Sequence, residues 1–312
     1  MEYITLNNSD LTVSRICIGG DPMGGHGWGN IEDSLLIEAI NTAVDIGINF
    51  FDTADTYGLG KAETLLGRTL GSRKYDVVIG SKFSVRWTED MKSYYDNSPE
   101  WIEQALQNSL KRLDRDYIDL YQLHWRDYKT PVDKIFEKLI SLKEKGYIRA
   151  IGLSNVRDHD IVDFAPYKEH ISTFQNEYSL ANRENENDIL KCANLLGINP
   201  MTWGSLGQGI LTGKYDRNSV FGTDDRRSRS VYKNFHGEKL EKNLIIVEEM
   251  KKYSCESGHS LPSIAIRYIL DYLKNSIVIA GVKNKNQVFS NAEAFGWELH
   301  PNTLQNLLNI SK

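Results

Sequence analysis

The chain has 312 residues, 40% of them hydrophobic, and a formal net charge of -5 from 37 basic and 42 acidic side chains. This length fits two ordinary domains or one large α/β barrel, and the apolar fraction is enough for a sizeable core. The mildly acidic balance argues against a protein that binds nucleic acid or an anionic membrane through its overall charge. No apolar run approaches the length of a membrane span, so we expect no transmembrane helix.

The first residues lack the basic start and apolar core of a signal peptide, which favours a cytoplasmic protein. Cys17, Cys192 and Cys255 are odd in number and form no C-x-x-C motif. They indicate reduced thiols that fill space, and not a redox or metal centre.

In chain order, the alternation over residues 3–13 predicts a small β-hairpin, and a first buried strand follows at 14–20. The glycine-rich loop at 24–29 lacks the full G-x-G-x-x-G spacing, so it gives little support to a Rossmann fingerprint. Helical periodicity then covers 31–46, and a short apolar run at 49–52 predicts the second strand.

The rest of the chain continues this alternation of apolar runs and helical patterns. We expect strands at 76–82, 117–124, 148–155, 172–178, 199–203 and 276–280. We expect helices at 63–70, 98–113, 131–145, 159–164, 186–196, 240–257, 263–273, 287–295 and 301–310. The polar stretch 215–236 predicts an inserted loop above the strands.

Eight short strands that alternate with helices, with no linker between halves, favour one closed parallel barrel. We therefore predict a single (β/α)8 domain over residues 1–312, with an N-terminal hairpin and extra C-terminal helices. An open doubly wound sheet is the alternative.

Polar side chains stand where successive predicted strands end. Asp52, Lys82 and His124 end the second, third and fourth strands, and Tyr57 follows Asp52 in the loop. In a barrel these ends surround one mouth, which is where chemistry takes place. A phenol has an ordinary pKa of about 10, and we expect a nearby ammonium to lower it. The set suits protonation of an alkoxide by Tyr57 while hydride arrives at carbon.

Each of these residues taken alone also fits a structural role. A loop Tyr often packs, a strand-end His is often a satisfied polar group, and a Lys after a strand often faces solvent. The argument for a site is that all four fall at equivalent ends of successive elements.

Three segments give the chain a resemblance to the aldo-keto reductase superfamily over nearly its whole length. They are residues 49–58 (NFFDTADTYG), 113–124 (LDRDYIDLYQLH) and 148–155 (IRAIGLSN). The resemblance implies a (β/α)8 barrel that binds NADPH without a Rossmann domain. It also implies Tyr57 as general acid, Asp52 and Lys82 as the pair that tunes it, and His124 as the donor that orients the substrate carbonyl.

The resemblance also implies a set of cofactor-binding residues. Ser154, Asn155 and Gln175 match positions that bind the nicotinamide carboxamide, and Trp203 matches a stacking aromatic that is usually Tyr. The pyrophosphate loop and the adenosine segment match Gly204, Ser205, Leu206, Gly209, Gly281, Lys283, Lys285, Gln287 and Asn291, and Gly20 is a further expected cofactor-binding residue. Lys283 or Lys285 would bind the 2′-phosphate, which favours NADPH over NADH but leaves NADH possible.

The sequence indicates the residues of the substrate pocket less clearly. Trp28, Trp87 and Trp125 follow three of the strands and are candidates for its walls. The basic stretch 226–229 either closes over cofactor or substrate, or remains solvated.

We hypothesise a soluble NADPH-dependent reductase that converts an aldehyde, ketone or keto-sugar to an alcohol. The alternative is a nucleotide-sensing subunit that resembles potassium-channel β subunits and has slow residual turnover. The seven histidines form no H-E-x-x-H motif, so no metal is expected. The expected partner is a small carbonyl substrate, and both a monomer and a homo-oligomer remain open.

Overall fold

The computed structural model describes residues 1–312 and contains a closed parallel barrel of eight strands. The barrel strands are β3 (Ile16–Gly19), β4 (Phe50–Asp52), β5 (Val78–Phe83), β8 (Ile118–Leu123), β9 (Ile148–Ser154), β10 (Ile171–Glu177), β11 (Asn199–Trp203) and β12 (Ile277–Gly281). They neighbour one another in chain order, and β12 pairs with β3 to close the ring. The predicted barrel is therefore confirmed, and the open sheet is excluded.

Helices surround the barrel, and most follow a barrel strand as a (β/α)8 fold requires. They are α1 (Asp33–Asp45), α2 (Lys61–Leu70), α3 (Pro99–Leu113), α4 (Val132–Glu144), α5 (Ile161–Phe164), α6 (Glu186–Leu196), α7 (Gly237–Ser257), α8 (Leu261–Tyr272), α9 (Lys285–Ala292) and α10 (Pro301–Ile310). Local sequence signals explain where several of these helices begin or end. Ser98 caps α3 through its side chain, with Pro99 at the first helical position, and Gly197 ends α6 in the left-handed conformation.

Two hairpins lie outside the barrel. The predicted N-terminal hairpin pairs β1 (Tyr3–Thr5) with β2 (Thr12–Ser14). A second hairpin, which the sequence analysis missed, pairs β6 (Val85–Trp87) with β7 (Ser93–Tyr95) immediately after β5.

The barrel interior is packed with side chains at every second position of the strands. It holds Cys17, Phe50, Val78, Leu120, Ala150, Met201, Ile277 and Ile279, together with Leu6, Leu11 and Val13 from the N-terminal hairpin. The hairpin thus closes the amino-terminal end of the barrel. A larger apolar layer of 64 buried residues separates the strands from the helices.

Candidate active site

The strand period places the candidate catalytic residues inside the barrel mouth. Residues two apart on a strand face the same side, and Phe50 belongs to the packed interior. Asp52 therefore points inward at the carboxyl end of β4. Lys82 lies four residues after the interior residue Val78, and the same argument turns its side chain inward. Both side chains are almost completely buried.

A buried ion pair connects these two strands. The Lys82 ammonium lies 2.5 Å from Asp52 Oδ2 and donates to the Thr53 carbonyl oxygen at 2.9 Å. The same ammonium lies 3.5 Å from the Tyr57 hydroxyl oxygen. The carboxylate therefore holds a positive charge beside the phenol.

The effect on Tyr57 differs from the expected one. Burial raises the pKa of Tyr57, and the Lys82 ammonium opposes this rise without cancelling it, so that the pKa is about 12. The expectation that the pKa falls below its ordinary value was wrong, because it left out the cost of placing a phenolate in a buried site. Tyr57 is thus protonated at neutral pH, which is the form a proton donor needs, and Lys82 reduces the cost of forming the phenolate.

His124 follows β8 and meets Tyr57 edge-on, with ring centroids 6.1 Å apart. Burial and, secondarily, the Lys82 charge place the pKa of His124 well below its ordinary value. The imidazole is therefore neutral and carries one N–H donor. A neutral imidazole in the cleft can donate a hydrogen bond to a carbonyl oxygen without itself releasing a proton.

Two glutamine side chains complete the polar layer inside the mouth. Asp52 Oδ1 accepts hydrogen bonds from Gln122 Nε2 at 3.0 Å and Gln175 Nε2 at 2.6 Å, and Gln175 also donates to Gln122 Oε1. The sequence analysis missed Gln122. Its position two residues after the interior residue Leu120 is the signal that would have found it.

A cleft of about 860 Å³ opens at this end of the barrel. Most of the residues proposed from sequence lie on its wall. They are Gly20, Trp28, Asp52, Tyr57, His124, Trp125, Ser154, Asn155, Gln175, Trp203, Gly204, Ser205, Leu206, Gly209, Gly281, Lys283, Gln287 and Asn291. The fold therefore brings the predicted catalytic and cofactor positions to one cavity, with Lys82 buried just behind Tyr57.

Two proposed residues lie elsewhere. The Lys285 ammonium pairs with Glu38 of α1 at 2.7 Å on the outside of the barrel. Trp87 lies in the missed hairpin, where its indole donates to Thr56 Oγ1 at 3.0 Å, and 41% of the residue is exposed. Neither side chain lines the cleft, so the structure supports Lys283 and not Lys285 as the cofactor-side lysine, and it does not place Trp87 on the substrate wall.

The cleft wall has features that fit a bound dinucleotide. Gly209 adopts a φ of +104°, which favours glycine, and leaves room for close approach of a ligand to the backbone. Asn291 is 2% exposed, and its Nδ2 atom has no hydrogen-bond partner in the protein. An unpaired buried donor on a cleft wall is accounted for by a ligand acceptor. Asn155, held in the left-handed conformation, donates to the His124 carbonyl oxygen and so joins the cofactor and catalytic positions.

Positive charge collects at the end of the cleft near β12. Lys283 donates to the Trp28 carbonyl oxygen at 2.6 Å, and burial, followed by the charge of Arg227, lowers the pKa of Lys283. Lys214, which the sequence analysis did not name, adds a further exposed cation to the same wall. Crowded like charges of this kind suit an anionic group such as a phosphate.

The long loop between β11 and α7 meets the loop after β3. Arg226 donates to Asp21 Oδ2 at 3.1 Å, and its backbone N–H donates to the Gly27 carbonyl oxygen. Arg227 is buried against Asp225 and does not extend into solvent. Of the two alternatives for the basic stretch, the structure favours the one in which it lies over the cleft.

Comparison with known proteins identifies the family. The model of the aldo/keto reductase family matches residues 15–311. The chain belongs to this family. It is 33% identical to the aldo-keto reductase YhdN of Bacillus subtilis over 96% of this chain and 90% of that protein. It is 31% identical to an NADH-specific methylglyoxal reductase of Escherichia coli over 96% of this chain and 95% of the relative.

The family also contains a relative with a different description. A probable voltage-gated potassium channel subunit beta of Oryza sativa is 31% identical over 94% of this chain and 91% of the relative. Among solved structures, the glycerol dehydrogenase AKR11B4 of Gluconobacter oxydans has a TM-score of 0.89 and 32% identity, covering 99% of this chain and 94% of that one. The aldo-keto reductase fold and oxidoreductase family are thus established.

None of the helices combines the length and apolar character needed to span a bilayer. No group of three or more His, Cys, Asp or Glu side chains is arranged to hold a metal ion.

Proposed function

We propose that this aldo-keto reductase uses NADPH to reduce an aldehyde, ketone or keto-sugar carbonyl to the alcohol. The observation that carries the proposal is the Tyr57 hydroxyl on the cleft wall with the Asp52-anchored Lys82 ammonium 3.5 Å from it. A proton donor that stays protonated at neutral pH, beside a cation that stabilises its conjugate base, suits the protonation of a developing alkoxide.

Each residue of the cleft would have its own role in the reduction. Ser154, Asn155 and Gln175 would hold the nicotinamide carboxamide, which needs both donors and acceptors, and Trp203 would stack on its ring. A reduced nicotinamide bound there supplies the hydride. His124 would hold the substrate carbonyl oxygen with its N–H, and Tyr57 would give its proton to that oxygen. Lys82 and Asp52 would then stabilise the phenolate left behind.

The choice of NADPH rests on charge at the far end of the cleft. Lys283 lines that end and Lys214 stands near it. The negative charge of a 2′-phosphate would offset the positive charges of both lysines. A Lys is a point charge without the paired donors of Arg, so NADH would also bind, with lower affinity. The NADH-specific relative is consistent with use of the second cofactor within the family.

The test is a cofactor titration followed by a carbonyl panel. We expect the fluorescence of NADPH to change when it binds the protein. We then expect the absorbance of NADPH to fall when an aldehyde, ketone or keto-sugar is added. Failure of NADPH to bind, or binding with no oxidation by any carbonyl, would contradict the proposal. The panel also identifies the preferred class.

A second candidate is a nucleotide-sensing subunit, and the similarity to the potassium channel β subunit favours it. Such a protein would bind NADPH tightly, turn over slowly, and change its affinity for a partner with the oxidation state of the nucleotide. Turnover faster than about one per second with a preferred carbonyl, together with purification free of a stable partner, would decide for the enzyme.

A further inference from the structure

Asp21 is a carboxylate in the cleft that the catalytic arrangement does not use. It begins the short 3₁₀ turn Asp21–Gly24, directly after β3, and lines the cavity. This turn packs on the loop that carries Tyr57. A Cβ atom on Gly24 would lie 2.7 Å from the Gly58 backbone nitrogen and 2.9 Å from the Tyr57 carbonyl carbon. The turn that Asp21 begins therefore lies beside the catalytic loop, and Trp28, which donates to Asp21, also contacts Lys283.

The charge of Asp21 reaches Tyr57. Burial is the main cause of the raised pKa of Tyr57, and the Asp52 and Asp21 carboxylates add to it. An acid placed where it makes the phenolate harder to form does not serve proton donation. A role toward the substrate accounts better for its position.

Neighbouring groups hold one oxygen of Asp21 and leave the other open. Oδ2 accepts hydrogen bonds from the Trp28 indole at 2.8 Å and from Arg226 Nη1 at 3.1 Å. Oδ1 receives no hydrogen bond from the protein, and 33% of the side chain is exposed. The carboxylate is thus held at one oxygen, and the other oxygen remains free to accept a hydrogen bond at the cleft wall.

We propose that Asp21 determines substrate specificity by accepting a hydrogen bond from a substrate hydroxyl group, so that the site prefers hydroxylated carbonyl compounds and disfavours carboxylated ones. The proposal rests on the reductase function proposed above. A carboxylate is a strong acceptor for a hydroxyl donor and repels a second carboxylate in a site of low dielectric.

The experiment compares substrates of equal length. Glyceraldehyde and propanal differ in hydroxyl groups, and succinic semialdehyde differs from butanal in its carboxylate. Asp21→Asn removes the charge but keeps an oxygen that accepts from the Trp28 indole. We expect the ratio of kcat/KM for glyceraldehyde over propanal to fall by about 10- to 100-fold in this variant. The ratio for succinic semialdehyde over butanal should rise.

A matched variant separates recognition from loop anchoring. Arg226→Gln breaks the same ion pair from the other side and leaves the carboxylate in place. It should retain the glyceraldehyde preference even if overall activity falls. If Asp21→Asn loses activity equally on both aldehydes and binds NADPH less tightly, as Arg226→Gln would, then Asp21 only anchors the loop and the inference is overturned.

The wild-type enzyme provides the remaining outcomes. Equal kcat/KM for glyceraldehyde and propanal would overturn the inference while the reductase function stands. A protein that reduces no carbonyl compound at all would overturn the function and this inference with it.

Discussion

The Lys82 ammonium is 2.5 Å from Asp52 and 3.5 Å from the Tyr57 hydroxyl oxygen, so its primary partner is the carboxylate. Burial alone would lower the pKa of Lys82, but the neighbouring Asp52 carboxylate raises it above its ordinary value. The lysine therefore remains a cation throughout the accessible pH range. The ammonium is close enough to stabilise the negative charge that develops on the phenol oxygen.

Replacing Lys82 tests whether its ammonium stabilises the phenolate of Tyr57. Lys82→Met should lower kcat for carbonyl reduction by about 10²- to 10⁴-fold, because the phenolate then forms without a neighbouring cation. Saturating NADPH and steady-state rates with the preferred substrate measure the loss. Removal of one partner also leaves Asp52 buried without its counter-ion, so a melting curve and an NADPH titration must show that the variant is folded. A folded variant with wild-type kcat would refute the role given to Lys82.

The two lysines near the adenosine segment form a matched pair for cofactor preference. Lys283 lines the cleft, whereas Lys285 pairs with Glu38 outside it. Lys283→Gln should raise the Kd for NADPH about 10-fold, since one charge-assisted contact is lost. The Kd for NADH should change little. Lys285→Gln should leave both values near those of the wild type.

Fluorescence titrations with the two nucleotides measure these constants. Equal weakening of NADPH and NADH by Lys283→Gln would assign Lys283 to the pyrophosphate instead of the 2′-phosphate. A larger effect from Lys285→Gln would assign the 2′-phosphate to Lys285, the other candidate from the sequence.

We expect the buried side chain of Asp55 to make the stability of the folded protein depend on pH. It precedes Tyr57 by two residues, and its Oδ1 atom is buried without a hydrogen-bond partner. Burial, reinforced by the nearby Glu63 charge, raises the pKa of Asp55 from 3.8 to about 8. Between these values the folded protein holds a proton that the unfolded chain has lost, so this group makes stability fall as pH rises.

Asp55→Asn removes that titration. Its Tm should exceed that of the wild type by an increasing margin between about pH 5 and about pH 8, at about 3 °C for each kcal/mol. Near about pH 3 the margin should be smallest, because Asp55 is then largely protonated in both the folded and the unfolded wild type. Thermal unfolding in a pH series measures it. A margin that is constant, or that shrinks as pH rises, would show that Asp55 is ionised in the folded protein.

Much of the site followed from the two-residue period of the strands. Phe50 and Val78 are apolar and face the barrel interior, and the polar residues on the same faces, Asp52 and Lys82, reach its mouth. Short apolar runs that end in polar residues are visible in sequence. This is why the barrel and the convergence of the catalytic positions could be predicted.

Other features depend on contacts that the sequence does not show. The β6–β7 hairpin is two three-residue strands in a polar segment, too short for a clear alternation, and it carries Trp87 away from the cleft wall. Lys283 precedes α9 and Lys285 is its first residue, so two residues of separation turn the side chains toward different neighbours. The raised pKa of Tyr57 follows from the extent of burial, which only the packed fold determines.

The most direct test of the account is a single-turnover reaction of Tyr57→Phe with bound NADPH. The phenyl ring keeps the shape of the cleft wall but has no proton to give. We expect NADPH affinity within about threefold of the wild-type value, and a rate of cofactor oxidation by the preferred carbonyl lowered by at least about 10²-fold. Oxidation at the wild-type rate with the cofactor fully bound would contradict the assignment of Tyr57 as the proton donor.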